Sequence, residues 1–317
     1  MIDESLWDKP FFKVLSRNET GEGKGNQSGL VIPVSMRQYM PFLLGEPTIL
    51  MPTIGMQLEA ELCLDGVALG VVSTRYQIQS WRGSEKRETR VTGKLTSLLG
   101  GAKESDLLII SRKRNKDDCY RLDLIPKRSK NFRYFMKLVS GRRWGALEKN
   151  DPPESFALAL ESALQEEEER AVLEFSLFDF NKKNVTSVVT KKARDYAFKR
   201  RVLKAYGWRC AICAKGFKSP DGQYELEAAH IVPHSMSGVD DVRNGFSLCR
   251  SHHWAFDRGL FGITAKRTVY VPDVVKEITQ NSELCLRHQK KLFEPLSEGL
   301  RVDASAFAWH WENILIS

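Results

Sequence analysis

All six histidines of this 317-residue chain lie after residue 229, and four of them fall between His230 and His253. Spacing separates two jobs there. Cys210-x-x-Cys213 and Cys249-x-x-His252 are two ligand pairs 36 residues apart, the arrangement of a tetrahedral zinc shell closed by three thiolates and one imidazole. A closed shell leaves no position for a reacting molecule, so the expected role is structural, a staple for a fold too small to bury much apolar area. His230, Asn244, His253 and Asp257 stand outside that shell. An imidazole exchanges a proton near neutral pH, and His253 and Asp257, four residues apart on a helix, would point from one face toward one divalent ion. Such a pair suits magnesium or manganese, and also nickel or zinc. His288 and His310 fall outside both patterns and read as structural residues.

The stretch from about residue 190 to 310 resembles the HNH nuclease family. The likeness rests on His230 in AAHIVP, Asn244 in RNGFSLC and His253 in CRSHH, with 14 residues from the first His to the Asn and nine on to the second His, and on the AFDRGLF and FAWHW stretches. It implies a ββα-metal fold in which a hairpin carries the first His and a following helix carries the last, directly after a zinc ligand. It also implies phosphodiester hydrolysis. His230 would act as the general base toward an attacking water. Asn244 would hold that imidazole and its loop, or approach the metal. His253 and Asp257 would bind one Mg2+ or Mn2+ that stabilises charge on the phosphate and its leaving oxygen. Many members of the family carry a metal-binding Asp or His immediately before the base, where this chain has Ala229. Glu227, His234 or water then completes the shell; water is the expectation, with His234 left to contact phosphate or substrate.

Positioning these groups calls for a particular set of elements. Residues 1–148 alternate short apolar runs such as VALGVV, LLIISR and YRLDLI with Gly, Asp and Asn turns, which predicts a mainly β domain with one or two short helices. Asp151-Pro152-Pro153 marks a boundary. The next stretch has helical composition through Glu174, and residues 151–190 carry nine acidic against three basic side chains. From Lys191 to Tyr206 the apolar spacing predicts an amphipathic helix with a basic outer face. The expected organisation is α+β: an N-terminal β-pseudobarrel over 1–150, an acidic helical linker over 151–190 and a zinc-stapled nuclease domain over 191–317. Cys63, Cys119 and Cys285 stand alone and read as core residues.

Two basic blocks flank the acidic connector within a net charge of +8, a balance that suits a polyanionic partner. No apolar run reaches the length of a bilayer span and the N-terminus is too acidic for a signal peptide, so a cytoplasmic location is expected. Gly23-Lys24 is followed by Gly25, which argues against a nucleotide phosphate loop. Instead, FFKVLSRNETGEGKGNQSGLVIP and QSWRGSEKRETRVTGKL resemble the two DNA-reading arms of the EcoRII-type N-terminal domain, a pseudobarrel akin to that of plant B-three transcription factors. That resemblance implies double-stranded DNA as partner. Its contacts would fall on Lys24, Asn26 and Gln27 in the first arm and on Arg82, Lys86, Arg87, Glu88 and Arg90 in the second, residue types that pair with base edges. The expected function is a type II restriction endonuclease acting as a homodimer, because one such centre cuts one strand. The alternatives are a nuclease directed to methylated cytosine and a non-catalytic DNA-binding zinc protein.

Overall fold

A computed structural model of the protein describes residues 5–20, 22, 29–43, 45–80, 87–179, 187–220 and 223–316. They form two compact units, one of Met1–Ala159 with Thr186–Lys191 and Pro220–Gly222, the other of Leu160–Val185, Lys192–Ser219 and Gln223–Ser317.

The first unit is built on strands β1 (Phe11–Val14), β2 (Leu30–Val31), β3 (Thr53–Leu64), β4 (Val67–Ser80), β5 (Arg87–Thr92), β6 (Leu107–Arg112), β7 (Cys119–Ile125) and β8 (Trp144–Ala146). They make one sheet in the order β2-β5-β4-β3-β7-β6-β1-β8. It is antiparallel except for the β3–β7 pair. The long β3–β4 hairpin turns on Asp65-Gly66, both at positive φ, which is what a two-residue turn matching the strand twist requires. Because β2 and β8 are left as edges, the sheet is a curled half-barrel rather than a closed barrel. The apolar run at β6 is buried from end to end because both of its faces are covered. Leu108 and Ile110 join Phe11, Leu58, Leu62, Tyr76 and Leu122 on one side. Leu107 and Ile109 join Phe12 and Val139 on the other. Two short helices complete the unit, α1 (Thr96–Leu99) and α2 (Phe132–Val139).

Helices α3 (Phe156–Arg170) and α4 (Val188–Ala205) follow, then a hairpin of β9 (Leu226–His230) and β10 (Gly245–Cys249), and α5 (Arg250–Asp257). A small pair of strands, β11 (Gly262–Ile263) and β12 (Val269–Tyr270), leads to α6 (Asp273–Lys276), α7 (Ser282–Cys285) and α8 (Ala304–Asn313). The β9–β10 register sets Gly245 opposite His230 and Leu248 opposite Glu227, so alternation turns Glu227 and Ala229 to one face and Ala228 and His230 to the other. Phe198 of α4 packs on the His230 face; a Cβ on Gly245 would come within 2.5 Å of its ring, so only glycine fits there. On the opposite face Phe246 meets Phe256 of α5 at 4.8 Å and Phe307 of α8 at 5.8 Å. The hairpin is thus gripped from both sides. Among the described residues no helix is long and apolar enough to cross a membrane.

Candidate active site

Three side-chain groups converge on the hairpin and its following helix. The first joins Cys210, Cys213, Cys249 and His252, whose donor atoms all lie within 4.8 Å of one another. Their placement follows from local chain geometry. Cys210 and Cys213 sit in a tight turn closed by Ala214 N–H donating to the Cys210 carbonyl at 2.8 Å. Cys249 ends β10 and caps α5, which puts His252 in the first helical turn with Nδ1 3.0 Å from Cys249 Sγ and 3.5 Å from Cys210 Sγ. Hydrogen bonds from Cys210 and Cys249 hold the Cys213 thiol far below its usual pKa. Three sulfurs and one imidazole nitrogen gathered so closely fit a tetrahedral zinc ion.

The second group is centred on His253, next to His252 on α5. Its Nδ1 lies 2.7 Å from Glu227 Oε2 and its Nε2 3.5 Å from Asp257 Oδ2. Glu227 thus reaches His253 from the face of β9 that also carries Ala229, two positions along. Its other oxygen is 3.5 Å from Arg250 Nε. All of these side chains are reached by solvent, with Asp257 the most exposed of the three metal candidates. The two carboxylates approach opposite ring nitrogens, so the Nε2 side, shared with Asp257, is where His253 could offer an imidazole and a carboxylate to one hard divalent ion, with water in the remaining positions.

The third group contains His230. Its ring stacks on Phe198 with centroids 3.8 Å apart and planes 11° from parallel, and its Nε2 is 3.0 Å from Asp240 Oδ1. The Nε2 of His234 approaches the same carboxylate oxygen. The nitrogen and oxygen donors of His230, His234 and Asp240 all lie within 4.8 Å of one another.

Asn244 builds the loop that makes this possible. Fully buried, it donates through Nδ2 to the carbonyls of Val232 at 3.1 Å and Val239 at 2.9 Å, and accepts from Val232 N–H at 3.0 Å. These three bonds tie the two ends of the 232–239 segment together. Gly238 closes it tightly, since a Cβ there would meet the Val232 carbonyl at 1.9 Å. A second brace comes from α3, where Arg170 donates to the Asp240 carbonyl at 2.7 Å. Arg243, paired with Asp241 at 2.7 Å, donates to the carbonyls of Arg170 and Leu173 at the end of that helix, each at 3.0 Å. Glu167 lies behind this loop, and burial pushes its carboxyl up to about 8, with Arg170 opposing and Asp240 and Asp241 adding to the effect.

Sequence reasoning named His230, Asn244, His253 and Asp257, and weighed Glu227 and His234 as shell residues. It missed Asp240, whose signal was an Asp-Asp pair just ahead of Arg243-Asn244 in the same motif. The structure brings His230 together with His234 and Asp240, and His253 together with Glu227 and Asp257. The side-chain bonds of Asn244 given above go to backbone groups of the loop, not to the His230 ring. The two histidines set aside have structural partners: His288 Nδ1 accepts from Val271 N–H at 3.0 Å and His310 Nε2 lies 2.9 Å from the Phe256 carbonyl.

Of the DNA-reading residues expected in the first unit, Lys24, Asn26, Gln27, Arg82 and Lys86 lie outside the described residues. Arg87, Glu88 and Arg90 lie on β5. Arg87 is exposed and pairs with Glu46 at 2.7 Å, whereas Arg90 is buried and pairs with Glu88 at 2.7 Å. The base of the first arm is anchored by a buried ion pair between Lys13 and Glu19. Glu19 also accepts from Val31 N–H at 2.8 Å.

Residues 210–264 match the HNH endonuclease family, so this part of the chain is an HNH endonuclease domain. No curated protein matches the chain. Among solved structures it is similar to the modification-dependent TagI restriction endonuclease, at 22% identity over 38% of this chain and 39% of that one, with a TM-score of 0.28. It is also similar to the B3 domain of the UbaLAI restriction endonuclease with cognate DNA, at 20% identity over 43% of this chain and 80% of that one, with a TM-score of 0.31. The chain thus spans about two fifths of the length of TagI.

Proposed function

We infer that this protein is a type II restriction endonuclease of the cytoplasm, whose first unit reads a short duplex sequence and whose second unit hydrolyses the backbone. The observation that carries this reading is the arrangement around the hairpin inside the HNH match: an imidazole backed by a carboxylate on one face, and an imidazole flanked by two carboxylates on the other.

His230 is the general base. With Asp240 ionised, the bond to Nε2 keeps the ring proton on that nitrogen and the lone pair on Nδ1, and the carboxylate steadies the imidazolium formed when a water gives up its proton. Stacking on Phe198 fixes the ring plane, and Asn244 fixes the loop that brings Asp240 to it. His253 and Asp257 would hold Mg2+ or Mn2+, with Glu227 fixing the imidazole through its other nitrogen, and the ion when bound supplies positive charge for the phosphate and the departing 3′ oxygen. Cys210, Cys213, Cys249 and His252 would hold a structural Zn2+. In the first unit Arg87 and Glu88, with the arm residues Lys24, Asn26, Gln27, Arg82 and Lys86, would contact DNA, and Arg90 would brace Glu88. One centre cuts one strand, so double-strand cleavage of a palindromic site takes a homodimer.

Genomic DNA digested with the purified chain and Mg2+, followed by sequencing of the fragment ends, should return one short recurrent motif at the termini. His230→Ala should lower the cutting rate by at least about a hundredfold and leave duplex binding intact. Cutting that persists in this variant removes His230 from the mechanism, and ends without a common motif remove site specificity. Cleavage confined to methylated templates would replace the type II reading with the modification-dependent one.

A further inference from the structure

The His230–His234–Asp240 group does something that a base and its orienting carboxylate do not need. Two imidazole nitrogens and one carboxylate oxygen, rather than a single pair, point at the same spot. The three atoms that converge are the ones a dication would use. We propose that this group is a second cation site, separate from the Cys210–Cys213–Cys249–His252 knot and from the His253 group, that binds a transition-metal dication of the zinc or nickel class and silences the nuclease when filled.

The chemistry of the donors selects the ion. Two neutral imidazoles with one carboxylate suit zinc, nickel or cobalt, whereas magnesium prefers oxygen donors. Pre-organisation favours binding as well. Asn244 clamps the loop ends, Arg170 holds the Asp240 backbone, and Phe198 holds the His230 ring, so little conformational freedom is left to lose. The side chains of His230 and Asp240 remain 19% and 12% exposed and that of His234 37%, so solvent reaches the point of convergence and can fill the other coordination positions.

Occupancy has a direct consequence for the ring. A metal ion on Nε2 displaces the proton held there, and a neutral imidazole bound in this way carries its remaining proton on Nδ1. That is the opposite tautomer to the one a general base needs. The proton lost from Nε2 is made good by one taken up at Nδ1 through solvent, so the ring stays neutral with no net release, and Asp240 is drawn from the ring to the ion. This consequence rests on His230 being the base; the metal site itself does not.

The test is calorimetric titration of Zn2+ into the full chain with its cysteine knot already loaded. With the His253 group removed by His253→Ala, the chain should still take up one further equivalent. His234→Ala and Asp240→Asn should each weaken this binding at least about tenfold. Carbethoxylation of the wild-type chain, mapped by mass spectrometry, provides a measurement that needs no variant: added Zn2+ should protect His230 and His234 while His288 stays as reactive as before. The same Zn2+ concentration should suppress Mg2+-supported cutting. No further equivalent in His253→Ala, unchanged binding in both His234→Ala and Asp240→Asn, or no protection of His230 and His234 overturns the site. Binding and protection without any loss of cutting would leave the site standing and overturn its role as an off-switch, together with the place of His230 as base.

Discussion

In the first unit, eight strands bury Phe11, Leu58, Leu62, Leu108 and Leu122 on one side of a continuous sheet and Phe12, Leu107 and Ile109 on the other. In the second, the hairpin that bears the catalytic candidates has just two strands of five residues, and an isolated two-stranded hairpin is marginal in water. The difference shows in how each unit uses cysteine. Cys63 and Cys119 are packed within the large sheet, and burial pushes both thiols up to about 11. Cys210, Cys213 and Cys249 are instead drawn together with His252 at the foot of the hairpin. A sheet with a thick apolar core holds itself; a small one that must keep polar groups at its surface has donors placed to be tied by a chelate.

The sharpest way to break this comparison is to strip the metal. A chelator strong enough to empty the cysteine knot should unfold the hairpin and α5, since structural zinc contributes on the order of 10 kcal/mol in small metal-tied folds. The β3–β4 hairpin of the first unit should stay folded. Hydrogen exchange read by mass spectrometry would show residues 226–257 losing protection while 53–80 keep it; equal loss in both would mean that the two units do not differ in this way.

A smaller effect separates the units by pH. His310 is buried against Phe256 at a ring distance of 3.6 Å, and its Nδ1 has no hydrogen-bond partner among the described residues. Burial lowers its pKa from 6.5 to about 4, so the folded state binds fewer protons than the unfolded one between those values. The stabilisation is complete above pH 6.5 and is lost as pH falls toward 4, an effect of about 3 kcal/mol. Denaturant midpoints of the second unit at pH 7 and pH 4.5 should therefore converge more closely in His310→Gln than in the wild type, whereas the first unit should be indifferent to the substitution.

The smallest expected effect lies in the first unit itself. Cys63→Ala removes one sulfur from a broad core and should cost about 1 kcal/mol with no change in cutting. Iodoacetamide applied with chelator should label Cys210, Cys213 and Cys249 well before Cys63 or Cys119. Early labelling of Cys63 would mean that its core opens as readily as the knot.

How much of this could be read from the chain depended on the range of the interaction. The cysteine knot was legible because its ligands come in two tight pairs whose spacing suits a tetrahedral metal shell, and α4 was legible from its apolar period, though it begins at Val188 rather than Lys191. Glu227 was within reach of the same kind of reading, since period-two alternation places it on the face of Ala229. Asp240 was harder, because the Asp-Asp pair ahead of Arg243-Asn244 does not say that the loop doubles back onto His230 until the clamp by Asn244 is seen. The acidic stretch after Pro153 was legible as a helix, but the bonds of Arg170 and Arg243 that brace the Asp240 loop join residues about 70 positions apart. Arg90 reads as one of the DNA-contacting residues of the second arm, yet it is buried and paired with Glu88.

His252 and His253 are neighbours on α5, about 100° apart around its axis. One faces the thiols and the other faces Glu227. The knot therefore works as a protractor: by capturing one imidazole it sets the roll of the helix, and with it the bearing of the next. A structural ion in the knot would in this way aim the side chain proposed to hold the catalytic one.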